Sequence, residues 1–379
     1  GCPERLRRLT RNPDVQIQRL WLNGFRSYVD ADVELPGGLT AVLGPNGQGK
    51  SNLLEAMSYL ATLRSFRGAP AEAMVRVGAE RAVVRGQVVT DGREHLVEAE
   101  IARTGRNRVL VDKQRLTRQR DLTEVLRVTV FAPDDLDLVK GGPALRRGFL
   151  DDLLVSVHPR HDQVRAEWER ALKQRNALLK QMHGRPDESA LITLDVWDQK
   201  LSTAGDALAG LRHDLVQRIA PVVSRAYRDV AAEELDVSLR YLAPWSTGTG
   251  DRPGGLAAAL AASRSDELRR GVTLVGPHRD DLELTLRSLP ARTHASQGEQ
   301  RSLALALRLA SHRVLLETHD SPPVLLLDDV FSELDPERSA ALLRSLPEGQ
   351  TVLSSAAGLP DGVDSELILD VADGAVRPR

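Results

Sequence analysis

The sequence predicts an α/β domain that is assembled from both ends of the chain, with a helical domain inserted between them. Strand-like runs of alternating or continuous apolar residues, each bounded by turn residues, occupy both ends. The middle of the chain, residues 143–232, has instead a helical pattern and many charged residues. A glycine-rich loop, residues 44–51, stands between a predicted strand and a predicted helix. Together these observations favour an α/β class with a helical insertion.

The first 140 residues are expected to be mostly strands. Alternation of apolar and polar residues predicts half-buried strands, and a continuous apolar run just before Pro133 predicts a buried one. Pro36, Gly37 and Gly38 mark a turn before the third strand. Strands are expected at residues 15–22, 31–35, 39–43, 81–89, 95–103, 108–112 and 128–131, with a helix at residues 51–63.

The inserted part is expected to consist of two long helices. They occupy residues 159–182 and 189–227, separated by Gly184 and Pro186. Residues 244–255 are rich in Gly, Pro, Ser and Thr and predict a loop or linker. The α/β pattern then returns, with strand-like residues 272–286, a helix at 296–318, a strand at 324–327, a helix at 336–346 and a strand at 351–354. We therefore expect three parts, at residues 13–140, 141–255 and 256–379.

The glycine-rich loop matches the pattern G-x-x-x-x-G-K-[ST] at every fixed position. Its backbone N–H groups can curl round phosphate oxygens, and the following helix points its N-terminus at the anion. We expect Lys50 to reach the β- and γ-phosphates of ATP and the Ser51 hydroxyl to hold Mg²⁺. A glycine-rich turn with a chance lysine is the alternative. The predicted nucleotide contacts are Gly44, Pro45, Asn46, Gly47, Gln48, Gly49, Lys50, Ser51 and Asn52.

An acidic pair follows a buried strand late in the chain. Asp328 and Asp329 end the apolar run 324–327, and an acid here faces the phosphate loop if both strands lie in one parallel sheet. We expect Asp328 to bind Mg²⁺ through water. Asp329 stands where a base could orient the attacking water. Lys50, Asp328 and Asp329 are therefore the predicted catalytic residues, while the alternative is two acids that cap a strand or the next helix.

A second anion site is predicted 32 positions before Asp328. Ser296, Gln297, Gly298 and Glu299 open a predicted helix and resemble the signature motif of ABC-type ATPases. In that class the signature of one subunit closes over the nucleotide bound by the other. The S-x-x-E spacing also fits a simple capping box, which is the alternative. Asp335 falls where that class has its D-loop, at the dimer interface.

Further segments resemble the RecF family of bacterial recombination mediators, which is related to SMC-type ATPases. The likeness covers roughly residues 15–355. The segments include Phe25-Arg26-Ser27-Tyr28, Ser65-Phe66-Arg67, Phe131-Ala132-Pro133-Asp134-Asp135-Leu136, Arg146-Arg147-Gly148-Phe149-Leu150-Asp151, Gln174-Arg175-Asn176 and Gly276-Pro277-His278-Arg279-Asp280-Asp281. The resemblance implies an ABC-type ATPase head, which is a two-lobed P-loop domain, with an inserted helical arm.

The same resemblance implies a function in recombinational repair. ATP binding would drive formation of a homodimer on gapped or duplex DNA, including single-strand/double-strand junctions, and hydrolysis would release it. RecR and RecO would be partners in loading RecA. Asp329 stands where many ABC ATPases have Glu, and its shorter side chain predicts slow turnover. With the resemblance, we expect a weak, DNA-dependent ATPase. No switch histidine follows residues 351–355, and no Q-loop glutamine can be placed.

A basic stretch is the candidate DNA surface. Residues 103–120 hold seven basic side chains against one acid, Asp112, a local net charge of +6. Such side chains contact phosphates without reading sequence. Only 3% of residues are aromatic, so stacking on single-stranded bases is disfavoured. A solvated hairpin in an arginine-rich protein is the alternative. The candidates are Arg103, Arg106, Arg108, Lys113, Arg115, Arg118 and Arg120, with Arg64 and Arg67 after the phosphate-loop helix.

Composition excludes several other classes. The net charge of −2 excludes a polycation, and no apolar run approaches the ~18 residues of a membrane span. The single cysteine, Cys2, excludes intrachain disulfides and cysteine-cluster metal sites, so we expect a cytoplasmic protein with no membrane partner. Two alternatives remain for the ATP site. A transporter ATPase subunit is disfavoured by the 246 positions between Lys50 and Ser296. A structural clamp that binds ATP without useful turnover is the other.

Overall fold

A computed structural model describes residues 15–182, 184, 187–231, 233, 235–246, 252–359 and 363–379, without the side chains of residues 119, 120 and 333. The first two residues of the expected part 13–140 and the middle of the expected loop 244–255 therefore lie outside the description. By their internal contacts the described residues divide into two compact units. The first draws on the described residues within Gly1–Asp135, Arg225–Glu234 and Arg301–Arg379, and the second on those within Leu136–Ser224 and Leu235–Gln300.

The elements alternate as an α/β chain with a long helical middle. The strands are β1 Val15–Phe25, β2 Tyr28–Glu34, β3 Leu39–Leu43, β4 Arg81–Thr90, β5 Arg93–Ala102, β6 Arg108–Val111, β7 Gln114–Arg115, β8 Val128–Phe131, β9 Val237–Leu242, β10 Asp281–Leu286, β11 Leu289–Pro290, β12 Val324–Asp328, β13 Thr351–Ser355, β14 Leu367–Ala372 and β15 Ala375–Pro378. The helices are α1 Lys50–Thr62, α2 Ala71–Met74, α3 Asp137–Lys140, α4 Pro143–Val157, α5 His161–Met182, α6 Glu188–Ala231, α7 Leu256–Arg270, α8 Ala291–His294, α9 Gln297–His319 and α10 Pro336–Ser345.

The first unit holds two six-stranded sheets with α1 packed against strands of both. One sheet is antiparallel, in the order β2-β1-β4-β5-β6-β7. Its strands alternate buried and exposed residues, as the sequence pattern predicts, because one face packs on the core and the other faces solvent. The solvent face carries cross-strand ion pairs such as Arg85 with Glu98 at 2.8 Å. Leu53, Leu54 and Met57 of α1 are fully buried.

The second sheet of this unit positions the candidate site. Its order is β15-β14-β3-β13-β12-β8, and all neighbours are parallel except β14 and β15. Every residue of β12 and β13 is buried. Burial on both faces of the sheet explains the continuous apolar run of β12, whereas β13 also buries the polar side chains of Thr351, Ser354 and Ser355. The predicted α/β class with an inserted helical part is confirmed.

The second unit contains α4, α5, α7, most of α6 and the sheet β11-β10-β9. A fully buried arginine joins its helices. Arg175 of α5 donates to Glu267 of α7 at 2.7 Å, to Asp198 of α6 at 2.5 Å and to the hydroxyl of Thr273 at 2.9 Å. Each guanidinium edge thus has an acceptor, which a buried charge requires. Asn176 accepts from the same threonine, so both residues pin α5 to the chain beyond α7.

The observed units differ from the three expected parts. Residues 256–300 belong to the second unit because β10 pairs with β9 along its whole length and α7 supplies the partner of Arg175. The expected boundary at 255 is therefore internal to that unit. Of the stretch 272–286, only β10 is a strand. The sequence patterns did not predict β9, α7, β14 or β15. No helix among the described residues is long and apolar enough to span a membrane.

Candidate nucleotide site

The parallel sheet brings the phosphate loop and the acidic pair to one edge. The loop leaves β3 at Gly44, and β13 lies between β3 and β12. In register, Ser354 of β13 pairs with Asp328 of β12, and Ser355 pairs with Leu43 of β3. Because the carboxyl ends of parallel strands meet at one edge, the expected placement of Asp328 beside the loop is met by this topology.

The loop has the tight backbone that phosphate binding requires. Gly44 has a φ of +149° and a Cβ there would lie 2.2 Å from the carbonyl oxygen of Val371, so only glycine fits. Lys50 is the first residue of α1, and its Nζ donates to the carbonyl oxygens of Gly44 and Pro45 at 2.7 and 2.9 Å. The lysine therefore spans the mouth of the loop, while the start of α1 faces the same space.

The turn between β1 and β2 supports the loop from one side. The hydroxyl of Tyr28 donates to the carbonyl of Gly49 at 2.9 Å, and Asn52 donates to the hydroxyl of Ser27 at 3.0 Å. Arg26 forms a bidentate ion pair with the buried carboxylate of Glu55, with both hydrogen bonds at 2.8 Å. In the sequence, only the family likeness indicates this turn. No sequence motif predicts the contacts between this turn and the phosphate loop.

A serine links the two acids. Ser354 Oγ donates to Asp328 Oδ1 at 2.8 Å and accepts from the Asp329 backbone N–H at 3.0 Å. Burial raises the pKa of Asp328, while hydrogen bonds from Ser354 and Ser51 act in the opposite direction. Ser354 is not among the site residues that the sequence predicts. The signal for its observed role is its register opposite Asp328, which no local pattern reveals.

Asp329 has an unusual environment. Its φ is +48°, in the left-handed region, and its buried Oδ1 has no hydrogen-bond partner within the described residues. Together with the Ser51 hydroxyl and the Asp328 carboxylate at the same sheet edge, the Asp329 carboxylate forms a set of hard oxygen donors. Such donors match the preference of Mg²⁺, so the residues fit the metal expected from the sequence. An unsatisfied carboxylate oxygen next to them can accept a hydrogen bond from a water.

The predicted signature opens α9 and is organised as a capping box. Ser296 Oγ accepts from the backbone N–H of Glu299 at 3.3 Å, and Glu299 Oε2 accepts from the backbone N–H of Ser296 at 2.7 Å. Arg287 donates to the other oxygen of Glu299. The hydrogen bond from the Ser296 backbone, aided by Arg287, lowers the pKa of Glu299. The capping box considered as the alternative is therefore formed, and Ser296 and Gln297 remain exposed at the helix start.

Asp335 is the N-cap of α10. Its carboxylate accepts from the backbone N–H and from the guanidinium of Arg338, both at 2.9 Å, and these contacts lower its pKa. It is exposed. A capping role explains its position locally, and an interface role for it stays a prediction.

The side chains of the basic stretch are of two kinds: some form hydrogen bonds within the protein, and others are exposed, which we call open. Arg103 donates to the carbonyl oxygens of Ala79 and Arg76 at 3.1 and 2.9 Å, so it ties a turn together. Asp112, the acid of the stretch, accepts from His95 and from the Leu96 backbone. The remaining described members are exposed and lie on or beside β6 and β7 at the sheet edge: Arg106, Arg108, Lys113, Arg115 and Arg118. The side chain of Arg120 lies outside the described residues. Arg64 and Arg67 are exposed beyond α1.

The segment around His278 is held structurally. Asp280 is fully buried and accepts from Trp245 Nε1 at 2.6 Å and from the Tyr241 hydroxyl. Burial raises its pKa to about 6. His278 Nε2 lies 3.1 Å from the carbonyl oxygen of Thr273, and burial lowers the pKa of its ring to about 4. In the described part of the chain no cluster of three His, Cys, Asp or Glu side chains is arranged to hold a metal.

Comparison with known proteins gives matches over almost the whole chain. A family model described as RecF/RecN/SMC N terminal domain matches residues 16–353. The DNA replication and repair protein RecF of Streptomyces avermitilis is 45% identical over 373 residues, covering 96% of this chain and 100% of the relative. That of Beutenbergia cavernae is 44% identical over 394 residues, covering 96% and 99%.

Solved structures show the same fold. A structure of the recombination mediator protein RecF with ATP in the RecFOR pathway superposes with a TM-score of 0.87 at 27% identity, covering 97% of this chain and 100% of that chain. An Smc head domain from Pyrococcus furiosus superposes with a TM-score of 0.56 at 16% identity, covering 96% of each, which supports the fold alone.

The fold and the site thus define an ABC-type ATPase of the SMC-like class. Within that class, the chain belongs to the RecF family of DNA replication and repair proteins.

Proposed function

We propose that this protein is an ATP-dependent DNA-binding switch of recombinational repair. ATP binding drives formation of a homodimer on duplex or gapped DNA, including single-strand/double-strand junctions, and hydrolysis releases it. With RecR and RecO it helps to load RecA at the gap, in the cytoplasm. The observation that carries the proposal is the arrangement of Lys50, Asp328 and Asp329 at one sheet edge, with Ser354 bonded to both acids.

Nucleotide binding is assigned to the loop at the start of α1. Lys50 can exchange its bonds with the Gly44 and Pro45 carbonyls for the β- and γ-phosphates, since both are oxygen acceptors at the loop mouth. Ser51 and Asp328 would hold Mg²⁺, which when bound neutralises phosphate charge. The carboxylate of Asp328 must be ionised to act as a ligand, and hydrogen bonds from Ser354 and Ser51 favour that form against its burial.

Hydrolysis is assigned to Asp329. Its backbone N–H is fixed by Ser354, and its buried Oδ1 is open to accept a hydrogen bond from the attacking water. The side chain is one methylene shorter than Glu, which supports slow turnover. Slow turnover suits a switch, because the ATP-bound dimer then lasts long enough to act on DNA.

Dimerisation is assigned to the start of α9. Ser296 and the exposed amides of the first turn form an anion site that can meet the γ-phosphate bound by a second copy. DNA binding is assigned to the open basic side chains on β6 and β7, which would contact backbone phosphates and stimulate turnover. The likeness to RecF proteins of the RecFOR pathway supports RecR and RecO as partners.

Phosphate release tests the ATPase. The native protein should release phosphate slowly, and faster with duplex or gapped DNA. Lys50→Ala should abolish ATP binding, whereas Asp329→Asn should bind ATP and Mg²⁺, dimerise and stall. Asp328→Asn should instead weaken Mg²⁺ binding. No release by the native protein, with ATP bound, would favour the structural clamp. Native turnover in Asp329→Asn would show that the base lies elsewhere.

A further inference from the structure

The C-terminal hairpin β14–β15 touches the phosphate loop and the turn that supports it. The backbone N–H of Asp373, in the hairpin turn, donates to Gln48 Oε1 at 2.6 Å. The carbonyl oxygen of Val371 of β14 would lie 2.2 Å from a Cβ placed on Gly44. A Cβ on Gly374 would lie 2.6 Å from the carbonyl oxygen of Ser27. Three close approaches therefore join this hairpin to the nucleotide site.

The hairpin turn is rigid for a simple reason. Ala372 pairs with Ala375, which leaves a two-residue turn of Asp373 and Gly374. Their φ values are +49° and +70°, the conformation that Asp-Gly adopts in tight hairpins. A two-residue turn of this kind fixes the direction of the Asp373 N–H, so it can act as a fixed anchor for a neighbouring side chain.

Gln48 is the side chain that meets this anchor. It occupies a variable position of the phosphate-loop pattern, so the pattern predicts a nucleotide contact for the loop backbone there but assigns no role to the side chain. Residues 45–47 of the loop are more exposed than Gln48. Phosphate binding by backbone N–H groups requires the loop to adopt one conformation. A loop that is mobile before binding loses rotamers and backbone states when ATP binds, and this loss reduces the affinity. A contact from the loop to a fixed turn limits that freedom.

We propose that the Asp373–Gly374 turn, acting through Gln48, is a positioning element that holds the phosphate loop ready for ATP. Gln48 then acts through the loop backbone and not as a direct phosphate ligand. This inference rests on the proposed function, since it concerns the affinity of the same loop for nucleotide. It assigns a role to a hairpin that lies beyond the residues matched by the family model.

The chain contains a matched control for this turn. Asp91 and Gly92 connect β4 to β5 in the same way, with φ values of +51° and +75°. A Cβ on Gly92 meets nothing within 4 Å. Gly374→Ala and Gly92→Ala therefore impose the same backbone strain. Only the first also pushes the turn away from Ser27 and Gln48.

The test measures the ATP dissociation constant of each variant with Mg²⁺, by equilibrium binding, and its unfolding temperature without nucleotide. Gly374→Ala should weaken ATP binding about fivefold or more relative to Gly92→Ala, as expected for loss of one hydrogen bond. Gln48→Met keeps the length of the side chain but removes the acceptor. It should weaken ATP binding by a similar factor at an unchanged unfolding temperature, which covers the case that Gly374→Ala folds poorly.

The controls separate this inference from the proposed function. Absence of ATP binding by the native protein, or equal binding by Lys50→Ala, would overturn the proposed site. Native affinity in Gln48→Met, with Lys50→Ala inactive in binding, would overturn the positioning role and leave the site intact. Combining Gln48→Met with Gly374→Ala should weaken binding by less than the product of the single effects, because both act through one contact. Multiplicative effects would contradict it.

Discussion

Ser354 donates a hydrogen bond to Asp328 across the β12–β13 pair, with 2.8 Å between the hydroxyl and Oδ1. The same hydroxyl accepts from the backbone of Asp329, so one side chain sets the position of both acids. The two roles proposed for these acids, metal binding and water orientation, therefore depend on a common third residue.

Removal of this hydroxyl should impair turnover more than binding. In Ser354→Ala, kcat is expected to fall about tenfold, as loss of a hydrogen bond to a charged group implies, with a smaller change in KM for ATP. Since the Ser354 hydrogen bond lowers the pKa of Asp328, its loss should also move the acidic limb of the pH–rate profile to higher pH. Steady-state phosphate release across pH measures both effects.

Two variants serve as controls for that result. Ser354→Thr keeps the hydroxyl and should retain most activity. Ser311→Ala removes another buried serine hydroxyl, which donates to Leu307 within α9, and should leave kcat unchanged. An unaltered pH profile in Ser354→Ala would contradict the positioning role.

The charge of Glu299 should control dimerisation. Its carboxylate stands at the start of α9, where the γ-phosphate of a second copy is proposed to bind, and Arg287 neutralises it. Arg287→Gln should weaken the ATP-dependent dimer several-fold by leaving two anions close together. Glu299→Gln preserves the capping box and should strengthen the dimer. Sedimentation at several protein concentrations gives the dimer affinity.

The double variant identifies the mechanism. With Glu299→Gln present, Arg287→Gln should have little further effect if Arg287 acts through Glu299. A further loss would show that Arg287 contacts phosphate directly. Arg269→Gln breaks an exposed ion pair with Asp266 in the same unit and should change nothing.

The open arginines at the edge of the antiparallel sheet should determine salt-dependent DNA binding. Replacing Arg106, Arg108 and Arg115 together by Gln should reduce the slope of log K against log salt by up to about 3, with little dependence on DNA sequence. Arg81 and Arg85 lie on the same sheet but are paired with Glu100 and Glu98. Their double replacement by Gln is the control, and an equal effect there would contradict the assignment.

The buried carboxyl of Asp280 should make stability depend on pH. Because burial raises its pKa from 3.8 to about 6, the folded state favours the protonated form more than the unfolded state does. Its stabilising contribution is thus present below pH 3.8 and lost as pH rises to about 6. Relative to Asp280→Asn, the native free energy of unfolding should decrease by about 3 kcal/mol over that range and then stay level. Denaturant titrations at several pH values measure the difference, and a constant difference would contradict it.

Local patterns in the sequence were sufficient for the phosphate loop, for β12 and for the start of α9. Each depends on neighbouring residues: glycines at fixed spacing before Lys50, a continuous apolar run before Asp328, and the S-x-x-E spacing at Ser296. The carboxyl ends of parallel strands meet at one edge, so the closeness of loop and acids was predictable on the condition that β3 and β12 lie in one parallel sheet, as they do.

Contacts between distant segments were not predictable in this way. Ser354 meets Asp328 and Gln48 meets Asp373 only after the sheet has formed, across 26 and 325 positions of sequence. Arg103 has the charge of a DNA-binding residue, yet its guanidinium donates hydrogen bonds to backbone carbonyl oxygens of the same protein. Short strands such as β15, with mostly exposed residues, carry too few apolar positions to be recognised by periodicity.

The mass of the protein in solution shows whether ATP binding drives dimerisation. It should be measured for the native chain, Lys50→Ala and Ser296→Arg, with and without ATP and with and without a gapped duplex. The account predicts a monomer without ATP and a dimer with ATP for the native chain, stabilised by the duplex. Both variants should stay monomeric, although Ser296→Arg should still bind ATP. A native chain that binds ATP and gapped DNA but stays monomeric would contradict the account, as would a normal ATP-dependent dimer of Ser296→Arg.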